Sequence, residues 1–262
     1  MRHAIAAAAL AAALAGAVPA AAEAATLIAL TADGRLVRVD AETGRASAPV
    51  AVRGADGRLL GVDVRPKDGR LYGLTERGQV VTLDPATGAA TPVSRLSVAL
   101  DHGGRAVVDF NPVADRLRVM GLTGQNLRVD VDTGAAASDG ALKYQPGTPL
   151  AGTAPRVTAG AYTNSAAGAT ATALYTLDAL AGSWNLQAPP NDGVQQPKGV
   201  VAGLPPGAAL DILADGSGGN VGYLLADGAL HTVAPETGAS TGRRAVAGLP
   251  AGVEVVDIAA MR

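Results

Sequence analysis

Asp40-Ala41-Glu42-Thr43-Gly44, Asp84-Pro85-Ala86-Thr87-Gly88 and Asp130-Val131-Asp132-Thr133-Gly134 are three copies of one pattern, Asp-x-x-Thr-Gly. Residues 178–182 and 234–238 read as its degraded copies. Asp hydrogen-bonds its own backbone two residues on and Gly accepts positive φ, so each copy is a tight turn. The glycines step by 44, 46, 48 and 56 residues, the size of one four-stranded propeller blade, roughly 40–50 residues. Each of the three intact turns follows a run rich in Val, Leu or Thr, such as residues 79–83 and 126–129, read as third strands. Second strands precede them at 27–30, 71–75, 117–120, 174–177 and 221–225, with turns such as Asp33-Gly34 and Asp227-Gly228 leading onward. Ahead of these lie inner strands at 61–64, 107–110, 157–162 and 210–213.

The N-terminal repeat lacks an inner strand, and the C-terminus supplies an orphan one, Val255-Val256-Asp257-Ile258. Pairing the two ends in one blade removes both exposed edges. The expected fold is all-β: a β-propeller of five four-stranded blades, with the C-terminal strand completing the N-terminal blade. The fourth repeat is irregular, with an Ala-, Thr- and Gly-rich insertion at 165–172 and a polar stretch at 187–198, both read as surface loops.

Composition fits this reading. Hydrophobic residues are 48% but aromatics 3%, so the core is built from Ala, Val, Leu and Ile in thin layers. Gly is 34 of 262 residues and Pro 16, which implies frequent turns and short elements. The net charge is −2 and Lys and Arg are scattered, which argues against nucleic acid as a partner. With no cysteine, a disulfide framework and a thiolate nucleophile are both excluded. Arg2, an apolar stretch at 5–18 and small residues after Pro19 read as a signal peptide over 1–24; Ala22, Ala24 and Ala25 all suit cleavage, and Ala24 is favoured. The mature chain, 25–262, is then one exported propeller domain without a transmembrane segment.

At the third and fourth repeats the chain resembles a bacterial family known as domain of unknown function 4394; the likeness covers the layout from about Leu27 to Ile258 and is sharpest between Val107 and Asn164. The residues that carry the likeness are Val108-Asp109-Phe110-Asn111-Pro112-Val113-Ala114-Asp115-Arg116-Leu117-Arg118-Val119, Thr123-Gly124-Gln125-Asn126-Leu127-Arg128, Asp139-Gly140-Ala141-Leu142 and Ala161-Tyr162-Thr163-Asn164. The resemblance implies a secreted or envelope-associated propeller and brings no catalytic residue, substrate or partner with it.

Four of the five inner strands carry an acid at a matching position, Asp63, Asp109, Asp211 and Asp257, with Gly160 nearest in the fourth. Carboxylates converging on one axis repel unless they are separated, hydrogen-bonded or neutralised by a cation such as Ca²⁺. Two readings follow: an axial Ca²⁺ site, or a repeated staple in which each Asp accepts backbone N–H groups of the adjacent blade. Asp130, Asp132 and Asp139 resemble a calcium loop, but Gly134 and Ala141 stand where ligands are wanted, so an ordinary turn is expected. Asp215, Ser217 and Asn220 read as a flexible hairpin.

His102 sits in the polar loop Asp101-His102-Gly103-Gly104-Arg105, where a general base oriented by Asp101 is one reading and a solvated histidine the other. Tyr72, Tyr175 and Tyr223 recur on second strands, as inter-blade packing requires. Trp184, Tyr162 and Phe110 do not obey the repeat, and Trp184, Tyr162, Asn164 and His102 are the candidates for a specific surface. No G-x-S-x-G elbow, H-E-x-x-H helix, P-loop or dinucleotide fingerprint occurs. The expected function is a non-catalytic binding or scaffold protein of the cell envelope, periplasmic or secreted, with an unidentified envelope or extracellular ligand. The alternative is a metal-dependent, lactonase-like propeller hydrolase using Asp63, Asp109, Asn111, Asn164, Asp211 or Asp257 around an axial ion.

Overall fold

The computed structural model describes residues 24–201, 205, 207–249 and 252–262. The leader expected over 1–24 falls, but for Ala24, outside them.

Five sheets form a ring. Blade one holds β1 (Thr26–Thr31), β2 (Arg35–Asp40) and β3 (Val50–Ala51). Blade two holds β4 (Leu59–Val64), β5 (Leu71–Thr75), β6 (Gln79–Leu83) and β7 (Ala90–Arg95). Blade three holds β8 (Ala106–Asn111), β9 (Arg116–Gly121), β10 (Asn126–Val129) and β11 (Ala136–Ser138). After β12 (Lys143–Tyr144), blade four holds β13 (Ala159–Tyr162), β14 (Leu174–Asp178), β15 (Ser183–Gln187) and β16 (Val194–Val200). Blade five holds β17 (Ala209–Ala214), β18 (Asn220–Ala226), β19 (Ala229–Val233) and β20 (Ser240–Ala245). The last strand, β21 (Val255–Met261), pairs antiparallel with β1, from Thr26 opposite Met261 to Thr31 opposite Val255, and becomes the inner strand of blade one. The ring closes as the sequence predicts.

The core is divided among the five blade interfaces. Leu27, Val37, Leu225 and Ile258 pack between blades five and one, and Ile28, Leu36, Val62 and Val81 between one and two. Leu60, Phe110, Leu117 and Leu127 fill the space between two and three, where Tyr72 meets Phe110 edge to face at 5.4 Å. Leu177, Trp184, Leu210 and Ile212 join four to five. The interface of three with four holds fewer apolar residues, among them Val107, Met120 and Leu174. Buried Arg118 adds a polar network there, donating to Asp139 at 2.6 Å, to Asn126 and Asn191 at 2.8 Å, and to the Tyr162 hydroxyl at 3.2 Å. Thin blades with almost no large aromatics thus bury their apolar faces against one another.

The Asp-x-x-Thr-Gly turns join third strands to fourth strands, and they also tie blades at the rim. Asp40 Oδ1 accepts the amides of Glu42 and Thr43, which closes the turn on itself. The carbonyl of each turn glycine then accepts an amide from the blade before it: Ala247 to Gly44, Arg53 to Gly88 and Ser97 to Gly134. Glycine is required there twice over. Gly88 and Gly134 have φ of 74° and 78°, and a Cβ on either would lie 2.1 Å from Ala51 O or 1.9 Å from Arg95 O.

Blade four departs from the sequence reading. Residues 178–182, taken as a degraded copy of this turn, connect the second and third strands, β14 and β15. The true counterpart is Gly193, at φ 67°, whose carbonyl accepts the Lys143 amide at 2.9 Å. Residues 187–198 are therefore no loose loop: they are the β15–β16 hairpin, carried over a 3-10 turn at Pro190–Asp192. Parallel β12 adds a fifth strand to its outer edge.

Candidate functional site

The inner strands run in the same direction and line the axis. The end where they begin is called here the upper mouth, the other the lower mouth. Asp63, Asp109, Asp211 and Asp257 all point inward and are between 4% and 9% exposed. Carboxylate oxygens of Asp63, Asp109 and Asp211 lie within 4.8 Å of one another. Each acid reaches the next blade: Asp63 accepts the Phe110 amide at 2.6 Å, Asp109 that of Tyr162 at 2.8 Å, Asp211 that of Ala260 at 2.5 Å and Asp257 that of Val62 at 2.9 Å. These are the staples that the repeat implies. Blade four has Ala161 at this position, not the Gly160 taken as nearest in the sequence: Ala161 lies opposite Tyr175 as Asp63 lies opposite Tyr72 and Asp211 opposite Tyr223. Its joint to blade five is made by loop side chains instead. Asn164 and Asn220 exchange two hydrogen bonds, at 2.7 and 2.9 Å, and the Ser165 hydroxyl donates to Ile212 O at 2.8 Å.

Above the acids, Arg105 closes the channel. Its guanidinium donates to Thr158 O at 2.9 Å, Ala208 O at 3.1 Å and Val256 O at 2.8 Å, and pairs with Glu254 at 3.1 Å. One side chain from blade three therefore holds the segments that lead into blades four, five and one. Two cavities flank it. The upper, about 470 Å³, is lined by Arg58, Arg105, Arg156, Glu254 and the apolar Leu60, Leu122, Leu180 and Val256. The lower, about 330 Å³, reaches Asp63 and Asp211 beside Ser165, Met261 and Arg262.

Burial raises the pKa of all four acids. Asp211 is pushed up to about 6. Asp63 goes well above the usual carboxylate range, by burial and then by the charge of Asp211; Asp109 does so by burial and then by Asp63 and Asp211. Asp257 is raised by burial, against the Val62 amide and Arg105, which pull the other way. An acid that titrates near about 3.9 unfolded and higher when folded takes up a proton on folding in the interval between, so stability falls as pH rises through it. His231, lowered by burial and by Arg243, acts in the opposite sense, so the comparison is made between variant and wild type, which share it. Asp115, which Arg65 holds down to about 2, matters only in stronger acid. In metal-free protein, Asp109→Asn keeps an acceptor for the Tyr162 amide and removes a buried charge. It is expected to raise the urea midpoint at pH 7.5 relative to wild type and to leave it nearly unchanged at pH 4. An equal effect at both pH values would show that Asp109 ionises in the fold without penalty.

The other sequence candidates separate. Trp184 and Tyr162, proposed for a surface, are 0% and 1% exposed. Trp184 stacks on Tyr175 at 6.4 Å, donates to Pro235 O at 2.7 Å and packs beneath Gly238, so the blade interface takes what was read as a surface aromatic. Trp184→Phe leaves that carbonyl without its donor and is expected to cost about 1–2 kcal/mol by urea denaturation. Asn164 is half-buried and forms the joint described above. His102 is half-buried; its Nδ1 accepts the Gly104 amide at 2.9 Å, and Asp101 makes no hydrogen bond to it. Asn111 Oδ1 caps the turn at Val113 and Ala114. Asp130 closes its own turn, Asp132 pairs with Arg65, and Asp139 with Arg118 and Arg128, which removes the calcium-loop resemblance. Asp215 Oδ1 accepts the amides of Ser217 and Gly219 within one hairpin. Sequence reasoning missed Arg105, although it stands at the end of the loop inspected for His102.

These features define a class: a five-bladed β-propeller closed by its C-terminal strand, stapled at the axis by aspartates and plugged by one arginine. The chain belongs to the family described as Domain of unknown function (DUF4394), whose model matches residues 35–259. No curated protein matches it. Among solved structures, it is similar to the computationally designed Ika8 protein at 15% identity, over 83% of this chain and 58% of that one, with a TM-score of 0.39. An auxiliary nutrient binding protein from Bacteroides ovatus matches at 14% identity over 75% and 55% of the two chains, TM-score 0.41. A protein of unknown function from Bacteroides caccae matches at 9% over 85% and 73%, TM-score 0.43. The chain thus spans little more than half the length of the first two.

Proposed function

We propose that this chain is an exported, non-catalytic binding or scaffold propeller of the cell envelope, periplasmic or secreted. The observation that carries the reading is the commitment of the axial carboxylates to backbone amides of neighbouring blades, which gives the residues best placed for chemistry a structural task. The signal-peptide pattern over 1–24 supports export, and no helix among the described residues is long and apolar enough to cross a membrane. Purified mature protein assayed against a panel of lactones and esters is expected to give no turnover; turnover that Asp109→Asn abolishes would overturn the reading. Export is tested by cell fractionation and intact mass. A mature chain beginning at Ala25 outside the cytoplasm supports it, and a cytoplasmic chain that retains residues 1–24 refutes it.

The 4.8 Å grouping of Asp63, Asp109 and Asp211 favours a second reading, an axial Ca²⁺ with hydrolase chemistry of the lactonase kind. The fit is partial. Asp109 Oδ2 is the one oxygen of these three side chains that accepts no hydrogen bond among the described residues, whereas Ca²⁺ takes roughly 6–8 oxygen ligands. Stoichiometric Ca²⁺ in protein purified without chelator, lost in Asp109→Ala, would establish the ion, and lactone or ester turnover lost with it the chemistry.

A further inference from the structure

We propose that the upper mouth of the channel binds a small amphiphilic organic anion, its carboxylate held by Arg156 and Arg58 and its apolar body laid against Leu60, Leu122, Leu180 and Val256. The inference rests on the binding reading above and names its site and ligand class. The cavity, about 470 Å³, lies within the range of small-molecule sites, roughly 300–1,000 Å³. Its charge is unbalanced: three arginines line it against one glutamate, Glu254. Arg105 is occupied by three carbonyls and Glu254 and serves as floor. Arg156 is exposed, and its guanidinium has no hydrogen bond or ion pair among the described residues. Arg58 lies 3.6 Å from Glu76 and donates to Gly104 O at 3.4 Å, a long bond that leaves most of its fork for a ligand.

The rest of the large side chains lining the cavity are apolar. Leu180, at the tip of the β14–β15 turn, is 57% exposed and borders the cavity, one of three exposed large apolar side chains among the described residues. Guanidinium groups beside a hydrophobic wall select a ligand with both parts: the fork matches a carboxylate in two bonds, and the wall removes apolar surface from water. Arg105, tied to three carbonyls, forms the floor between this cavity and the axial channel below.

Sodium octanoate is the probe, with sodium acetate and 1-octanol as comparators that each lack one part. Calorimetric titration of the mature protein is expected to show saturable octanoate binding and none by acetate or 1-octanol at equal concentration. Arg156→Gln, at an exposed position with no partner to lose, is expected to weaken octanoate by about tenfold or more. Glu254→Gln, which removes the one carboxylate lining the mouth, is expected to tighten it; a merely apolar crevice would respond to neither charge change. Absence of saturable octanoate binding, or equal affinity in wild type and Arg156→Gln, overturns the inference. Neither result touches the broader binding reading, which fails separately on lactone or ester turnover lost in Asp109→Asn.

Discussion

Deleting residues 255–262 is expected to abolish cooperative folding. Strand β21 buries Ile258, Ala259 and Ala260 at 5% exposure or less, and burying one Ile side chain is worth about 1.5–3 kcal/mol. Three ties leave with it: the Asp257 staple on Val62, the Ala260 amide that Asp211 accepts, and the Val256 carbonyl that Arg105 uses. Each buried group left unpaired costs about 1–3 kcal/mol, so the sum approaches the whole stability of a domain, about 5–15 kcal/mol. The deletion also bares the edge of β1, whose Leu27, Ala29 and Leu30 are fully buried, and an open apolar edge pairs with other chains. The expected protein is aggregated or lacks a cooperative urea transition. A permuted chain in which residue 262 runs into residue 26 through a short turn, opened at 52–58, is expected to fold, because Met261 already lies opposite Thr26. A truncated monomer with a wild-type transition would show that closure is peripheral.

Arg105→Ala carries the next largest effect. The side chain is 11% exposed and satisfies carbonyls from segments 53, 103 and 151 residues away. Its removal orphans three carbonyls, each costing about 1–3 kcal/mol when left unpaired, so the loss is expected to be about 3–5 kcal/mol. Arg105→Lys retains charge but has no planar fork to serve three acceptors, and is expected to fall between. Urea denaturation checks both. A loss below about 1 kcal/mol for Arg105→Ala would mean that water replaces the guanidinium without penalty.

Much of this architecture was legible because its signals are local. A turn of Asp, Thr and Gly carries its own hydrogen bonds, so residues 40–44, 84–88 and 130–134 announced themselves, and the bounds of β5, β6 and β10 were read without error. Blade four misled because its real turn was replaced by the segment ending at Gly193, while Asp178 and Gly182 imitate the pattern one hairpin too early. The axial aspartates were visible through repetition, which left a staple and an axial ion as the two readings; the hydrogen bonds to neighbouring blades appear only in the closed ring. Arg105 was not visible, because a lone arginine acquires meaning only from carbonyls brought to it by the closed ring. Trp184 failed for a related reason: departure from a repeat marks a residue as special without saying whether the special place is inside or out.

Ala161, which stands where the other blades carry an axial aspartate, bears on how this chain can change over generations. In blades one, two, three and five, replacing the axial Asp by a residue that cannot accept a hydrogen bond opens a joint, so substitution there carries a folding cost. Blade four has no such joint to lose, and its link to blade five consists of loop side chains that insertions can supply or exchange. Drift and novelty are therefore channelled into one fifth of the ring, the same blade whose β14–β15 turn carries Leu180 to the upper mouth.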